Sequence, residues 1–594
     1  MMSNENNQTE STKLITSAKV GDVAGVTAAL RAGADKEAVD PERNNFRALH
    51  WSASNGHTGV VLKLLHMGVD VDGRDYRGGS ALHQVGYGGH YEITSLLLVK
   101  GAVVDAICKY GFTPLMSASR GGHVNLVELF ITAGANIGLT DSGGNAAIHY
   151  ATGKGHHSIV KCLASHDADI KLENNHGLQP IHGAVINGHD LTVTTLIQLG
   201  ADVNCTNKTG HTPLWVASQN GHDKLVKVLL ENNAQIDFKT SQGNTALTVA
   251  SQNGHSSTAH MLITHGANIN TVNSYDATPL WLASHNGHDK LVTLLLENNA
   301  QIDFKTSQGN TALTVASQNG HSSTAHILIT HGANINIDNS FGATPLIWAS
   351  FQGRDEIVIF LISYGANIET VDNNGESSFF LACGIGNVDT LKILIEEGAY
   401  LNKKSKKDRS ALWKASNRGH VDIVEMLLRN GAQNNITNGG SQAIHTAAVN
   451  GHINVLVKLK ENGCDLNPTS SNGNTPLHLA VCEGNIKVAE WLLLNGANVH
   501  ACYKNDKIPI QLAIEKEYNE LATYLRDPPT ASLQSLSLDP IMPGTSKDTS
   551  NTHLLVSSEN SNLECVVCMD PRTSTVMTLP CRTEIAQRIP IFIN

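Results

Sequence analysis

The stretch TPLMSASRGGHVNLVELFITAGAN, from Thr113 to Asn136, reads as two short helices, each closed by a glycine. Thr113 offers an N-cap oxygen, and Pro114 takes the first helical position, where a missing N–H costs nothing. Leu115 and Ala118 then share one face at i, i+3. Gly122 stops this helix, because glycine reaches the left-handed conformation of a C-cap without a Cβ clash. Leu126, Val127, Phe130 and Ile131 follow at i, i+1, i+4, i+5, the spacing of one apolar helical stripe. Gly134 ends the second helix, and a polar segment through Asp141, Ser142, Gly143 and Gly144 turns the chain onward.

The same punctuation recurs along the chain. The capping glycines Gly56, Gly89, Gly122, Gly155, Gly188 and so on to Gly419 stand 33 residues apart; Gly451 comes one residue early, and Gly484 restores the step. Gly21 marks an imperfect first unit, and Glu517 stands where a last glycine is expected, giving about 16 units between residues 10 and 526. A helix pair this short cannot bury its apolar stripe alone, but stacked on like neighbours it can, with more polar units closing the ends. The last unit suits that role: Glu515, Lys516, Glu517 and Glu520 replace small residues. The 28 residues from Gly243 to Asn270 return from Gly309 to Asn336 with Ile327 for Met261 as the only change, as a linear stack permits. Upstream of the two copies, the tip Lys208-Thr209-Gly210-His211 becomes Ser274-Tyr275-Asp276-Ala277, so the frame repeats while the tip varies.

The pattern G-x-T-P-L-H-x-A…G-H…L-L-x-x-G-A-x-x-N resembles the ankyrin repeat. It stands nearly whole at Gly473-Asn474-Thr475-Pro476-Leu477-His478-Leu479-Ala480, and in part at Thr212-Pro213-Leu214, Thr278-Pro279-Leu280 and Thr344-Pro345-Leu346. The resemblance implies an all-α solenoid: stacked helix pairs, each with a β-hairpin finger, forming a curved superhelix with a concave groove. It also implies that the TPLH histidine is a structural hydrogen-bonder.

Composition narrows the function. The chain has 594 residues, 41% of them hydrophobic, 16% charged and 5% aromatic, with a formal charge of −11. That charge argues against nucleic acid as a partner. Within the array there is no G-x-x-x-x-G-K-[ST], G-x-S-x-G or H-E-x-x-H signature, so no cofactor and no catalysis on a small substrate are expected. Nothing at MMSNENNQTE reads as a signal peptide, and no apolar run reaches the length of a membrane span. Seven of the ten cysteines are scattered singly, which fits a reducing compartment. The expectation is a soluble intracellular protein, cytoplasmic, with the nucleus as the alternative address.

Binding residues gather on loops held by a rigid scaffold. Tyr76, Tyr110, Phe112, Tyr275 and Phe341 fall on fingers. Each reads either as an anchor for a partner protein, since aromatics are favoured at interface hot spots, or as packing on the neighbouring finger. The 29 histidines invite a metal hypothesis. Most recur, however, after the capping glycine (His57, His90, His123, His189, His222) or in the TPLH slot (His50, His83, His149, His182, His445, His478), a structural spacing. The run Lys403-Lys404-Ser405-Lys406-Lys407 lies where a finger tip belongs and reads as a solvated turn or a nuclear-import address.

The organisation expected is a disordered N-terminus (1–9), the array (10–526), a flexible Ser/Thr/Pro-rich linker (527–562) and a RING-like segment (563–594). In the last, Cys565-x2-Cys568 and Leu579-Pro580-Cys581 resemble the opening of a C3HC4 RING finger, as in ankyrin-repeat ubiquitin ligases of the mind bomb type. After Cys581, Arg582-Thr583-Glu584 replace Gly-His, and no further Cys or His follows. Cys565, Cys568 and Cys581 are therefore an incomplete zinc ligand set, since a structural zinc takes four. Two functions follow as expectations. One is a non-enzymatic scaffold holding protein partners in the groove and on the fingers. The other is the substrate-recognition part of a RING-type ligase, whose complete form recruits a ubiquitin-conjugating enzyme.

Overall fold

A computed structural model describes residues 2–434, 440–502 and 507–526. The expected linker and RING-like segment, with Cys565, Cys568 and Cys581, lie outside the described residues. Among the described residues the chain forms 32 helices and one two-stranded antiparallel sheet, Val39–Asp40 on Phe46–Arg47. It divides into two compact units, one ending at Ile335 and the other beginning at Asn336.

The helix pair foreseen at Thr113–Asn136 is there, as Pro114–Gly121 and Val124–Thr132. Thr113 Oγ1 accepts from the Met116 N–H at 3.3 Å, and Gly122 takes φ +86°. Leu115, Ala118, Leu126, Val127 and Phe130 are fully buried, while Ile131 sits half-buried at the edge of the stripe. Each of the larger of these side chains contributes about 1.5–3 kcal/mol by leaving water.

First helices pack on first helices of the next unit closely enough that small residues are needed. A Cβ added at Gly86, in helix Ala81–Gly88, would lie 2.8 Å from the Pro114 carbonyl oxygen. At the finger tips Gly111, with φ +78°, would meet the Asp141 Cα at 2.8 Å.

Two expectations change. The fingers are mostly not β-hairpins: outside Val39–Arg47, strand pairing among the described residues is one isolated bridge, Val371 with Ser377. The other fingers are closed by turns instead, as where Asp141 N–H donates to Asn145 O and Gly144 N–H to Asp141 O. Residues 2–9, expected to be disordered, belong to helix Met2–Val20. Leu14, Ile15 and Ala18 bury one end of that helix, and extending a nucleated helix costs little. At the other end, Glu517 itself adopts φ +61° in the glycine position of the last unit.

Candidate protein-interaction surface

Many finger turns are tied by a side chain near the base. Asp141 Oδ1 accepts from the backbone N–H groups of Gly143 and Asn145 at 2.9 and 2.7 Å. Asn207, Asn273 and Asp372 make the same pair of bonds in their own fingers. These short polar side chains mimic a backbone turn. Several neighbouring tips are then joined sideways by a single backbone bond. Tyr76 N–H donates to Asn44 O at 2.7 Å, Lys109 N–H to Arg77 O at 2.8 Å, and Ser142 N–H to Tyr110 O at 2.9 Å. With the backbone committed to its neighbour, the tip side chains are left to project from a fixed frame.

The five aromatic candidates divide between projecting and packing. Tyr76, Tyr110 and Tyr275 are exposed. Lys109 Nζ stands 4.5 Å from the Tyr76 ring centre, a cation–π contact between adjacent tips. Phe112 and Phe341 are half-buried. Phe112 packs edge to face on Tyr150 of the next unit, with centres 4.7 Å apart, and Tyr150 in turn hydrogen-bonds Asp141. Burial and that carboxylate push the Tyr150 hydroxyl pKa upward.

The histidines lace the stack in both directions. In the TPLH slot, His83 Nδ1 accepts from the Ser80 N–H at 3.1 Å and its Nε2 reaches the Phe112 carbonyl of the next finger at 2.9 Å. His50, His149, His182, His445 and His478 repeat this arrangement. Nδ1 accepting and Nε2–H donating fixes one neutral tautomer. Burial lowers the pKa of all six. The histidines after the capping glycine point backward. His90 Nε2 lies 3.0 Å from Ser54 O, His123 Nε2 3.0 Å from Tyr87 O, and His189 Nε2 3.1 Å from Gly153 O. Among the described residues no group of three or more His, Cys, Asp or Glu could hold a metal ion.

Sequence reasoning passed over two features. Trp215, Trp281 and Trp413 occupy the TPLH slot of their units, where the indole N–H is buried without a hydrogen-bond partner among the described residues. Each ring is covered instead: Trp215 stacks on His211 at 3.7 Å, Trp281 on His285 at 5.0 Å, and the Arg409 guanidinium sits 4.3 Å over Trp413. Burial pushes the His211 pKa down to about 4. The tip cations Arg77 and Lys109, beside Tyr76 and Tyr110, were also missed, although the 33-residue beat places them at the tips. The lysine run is partly neutralised by its own surroundings, with Lys403 on Glu369 at 3.2 Å and Lys404 on Asp408 at 3.0 Å.

Comparison with protein families agrees with this geometry. The family model for ankyrin repeats in sets of three copies matches successive overlapping stretches from 68–141 to 444–537, and the single ankyrin repeat matches 44–76. A search of curated proteins finds no match. No described helix is long and apolar enough to cross a membrane. With matched repeats following one another without a gap from residue 44 to residue 537, the chain belongs to the ankyrin-repeat family.

Proposed function

We propose that the chain is a non-enzymatic scaffold that binds partner proteins through its finger tips and inner helix faces, in the cytoplasm and without a cofactor. Ankyrin repeats are generally protein-interaction modules, and one observation carries the reading further for this chain. Tyr76, Tyr110 and Tyr275 stand exposed on tips whose backbone is hydrogen-bonded to the neighbouring finger. Ordering costs at such a surface are met before the partner arrives, so exposed aromatics there bind with little further loss of freedom. The test is capture of partners by proximity labelling with the full chain, followed by calorimetry with each purified candidate. A saturable complex weakened by Tyr110→Ala supports the scaffold. Absence of any saturable protein complex, or turnover of a small substrate, contradicts it.

A second reading rests on Cys565-x2-Cys568 and Leu579-Pro580-Cys581: the array as the substrate-recognition part of a RING-type ubiquitin ligase. Three thiolates fall short of the four ligands of a structural zinc, so the residues present do not complete a site. Bound zinc and a ubiquitin ladder lost on Cys565→Ala would establish this reading. A zinc-free chain with no ladder would remove it for this chain.

A further inference from the structure

Large exposed apolar side chains are unevenly spread. Among the described residues they crowd the stretch from Leu62 to Tyr110, and none occurs between Tyr110 and Leu191. Within the crowded stretch, two neighbouring fingers carry an aromatic and a cation side by side at the tip: Tyr76-Arg77 and Lys109-Tyr110. Tyr76 is 64% exposed and Tyr110 59%, values that leave most of each ring to water. The two tips are locked together by the Lys109 N–H to Arg77 O bond of 2.8 Å and by the Lys109 ammonium over the Tyr76 ring.

Nothing among the described residues answers the charges of this strip. Among the described residues neither Arg77 nor Lys109 makes an ion pair, and both are exposed. The nearest finger carboxylates are turned inward. Asp75 is buried and accepts from the Gly79 N–H at 2.7 Å, while Asp141 is spent on the Gly143 and Asn145 N–H groups and the Tyr150 hydroxyl. One finger earlier, the exposed Glu42 beside Arg43 ends the cationic strip. Two fixed cations flanked by two exposed phenol rings call for a ligand that brings carboxylates and an apolar side chain together. Phosphate chemistry on a nucleic acid is disfavoured by the net charge of −11, which repels a polyanion at range. A short acidic segment carries fewer charges and meets less of that repulsion.

We propose that the adjoining tips Tyr76-Arg77 and Lys109-Tyr110 are a docking strip for an extended acidic segment of a partner protein, its carboxylates on the two cations and an aromatic or aliphatic side chain against the two tyrosines. The strip rests on the scaffold reading, although the scaffold can stand without it.

The test uses the full chain and fluorescence anisotropy. The probe is a short fluorescein-labelled peptide of alternating Glu and Tyr, with an alternating Lys and Tyr peptide and an oligothymidylate as comparisons. The Glu–Tyr probe is expected to bind saturably and more weakly as salt rises. Affinity should drop about ten-fold or more in the double variant Arg77→Glu, Lys109→Glu, and several-fold in Tyr76→Ala, Tyr110→Ala. Lys224→Glu, an exposed change on the outer helix Asp223–Glu231, should leave both binding and the melting curve unaltered. No saturable binding of the probe, equal binding by the charge-reversed variant, or preference for the oligothymidylate overturns the strip. Partners captured by the full chain and held equally well by Arg77→Glu, Lys109→Glu also overturn it while leaving the scaffold intact. Failure of the unaltered chain to hold any partner sinks the scaffold itself.

Discussion

The Nε2 atom of His255 sits 3.0 Å from the carbonyl oxygen of Gln219, 36 residues earlier, and so ties the start of one outer helix to the inner helix of the unit before it. The same bond joins His288 to Gln252 and His321 to His285, at 3.1 and 3.0 Å. Where asparagine takes the histidine position, its amide does the work: Asn387 Nδ2 donates to Ser350 O at 3.0 Å and Phe351 O at 3.1 Å. Each capping-glycine histidine is therefore a stitch between neighbours.

Removing one stitch should loosen one junction. His255→Ala leaves the Gln219 carbonyl without that partner and should destabilise the array by about 1 kcal/mol, the usual net value of a hydrogen bond. His255→Asn, which supplies the donor seen at Asn387, should recover much of the loss. Urea unfolding followed by circular dichroism reads both. Equal loss in the two variants would mean that ring packing, not the bond, holds the junction.

The TPLH histidines make the stack acid-sensitive. His50, His83, His149, His182, His445 and His478 have pKa values below the ordinary 6.5, with burial the largest cause in each. Between the folded and unfolded values the unfolded chain binds more protons, so stability rises with pH in that window. It is fully present above pH 6.5 and is lost as pH falls toward the folded pKa values. The urea midpoint should therefore drop from pH 7.5 to pH 5 by more than it does in His83→Gln, His182→Gln. The same drop in both chains would place the acid sensitivity elsewhere.

Buried hydroxyls run through the inner helices at the repeat spacing. Ser218, Ser251, Ser284 and Ser317 of the first compact unit are fully buried, and among the described residues their Oγ atoms make no hydrogen bond. Ser52 differs, since its hydroxyl donates to Leu49 O at 3.2 Å. Replacing an unpaired buried polar group by an apolar one of similar size removes a desolvation cost. Ser284→Ala should thus stabilise the protein by about 1 kcal/mol, and Ser52→Ala should be neutral or destabilising. Differential scanning calorimetry ranks the two; a destabilised Ser284→Ala would reveal a hydrogen-bond partner for its hydroxyl.

The last unit carries a backbone cost. Glu517 holds φ +61°, where a Cβ is disfavoured and glycine is not. Glu517→Gly should stabilise helices Pro509–Glu515 and Asn519–Arg526 by about 1 kcal/mol. Slower amide exchange in those helices is the expected sign. Faster exchange would show that the glutamate side chain gives back more than its backbone costs.

The fold was legible because its signals are local. Thr113, Pro114 and Gly122 each act within a few residues, and the 33-residue beat needs no knowledge of the third dimension. The ends were less so. Helix Met2–Val20 depends on Leu14, Ile15 and Ala18 finding buried places, which the polar composition of its first residues conceals. The candidate surface was legible only by position. Tyr110 and Phe112 are two residues apart on one finger, yet Tyr110 projects and Phe112 packs, because Tyr150 of the next unit waits beside Phe112. Backward reach, as from His255 to Gln219, is equally hidden until the units are stacked.

Hydrogen exchange read by mass spectrometry on the full chain, with and without its captured partner, tests the scaffold most directly. Protection on binding is expected in the finger segments, residues 72–80 and 105–113 foremost, while the outer helices exchange as before. Protection confined to outer helices such as Tyr91–Val99 and Val124–Thr132, with the fingers unchanged, would contradict the account.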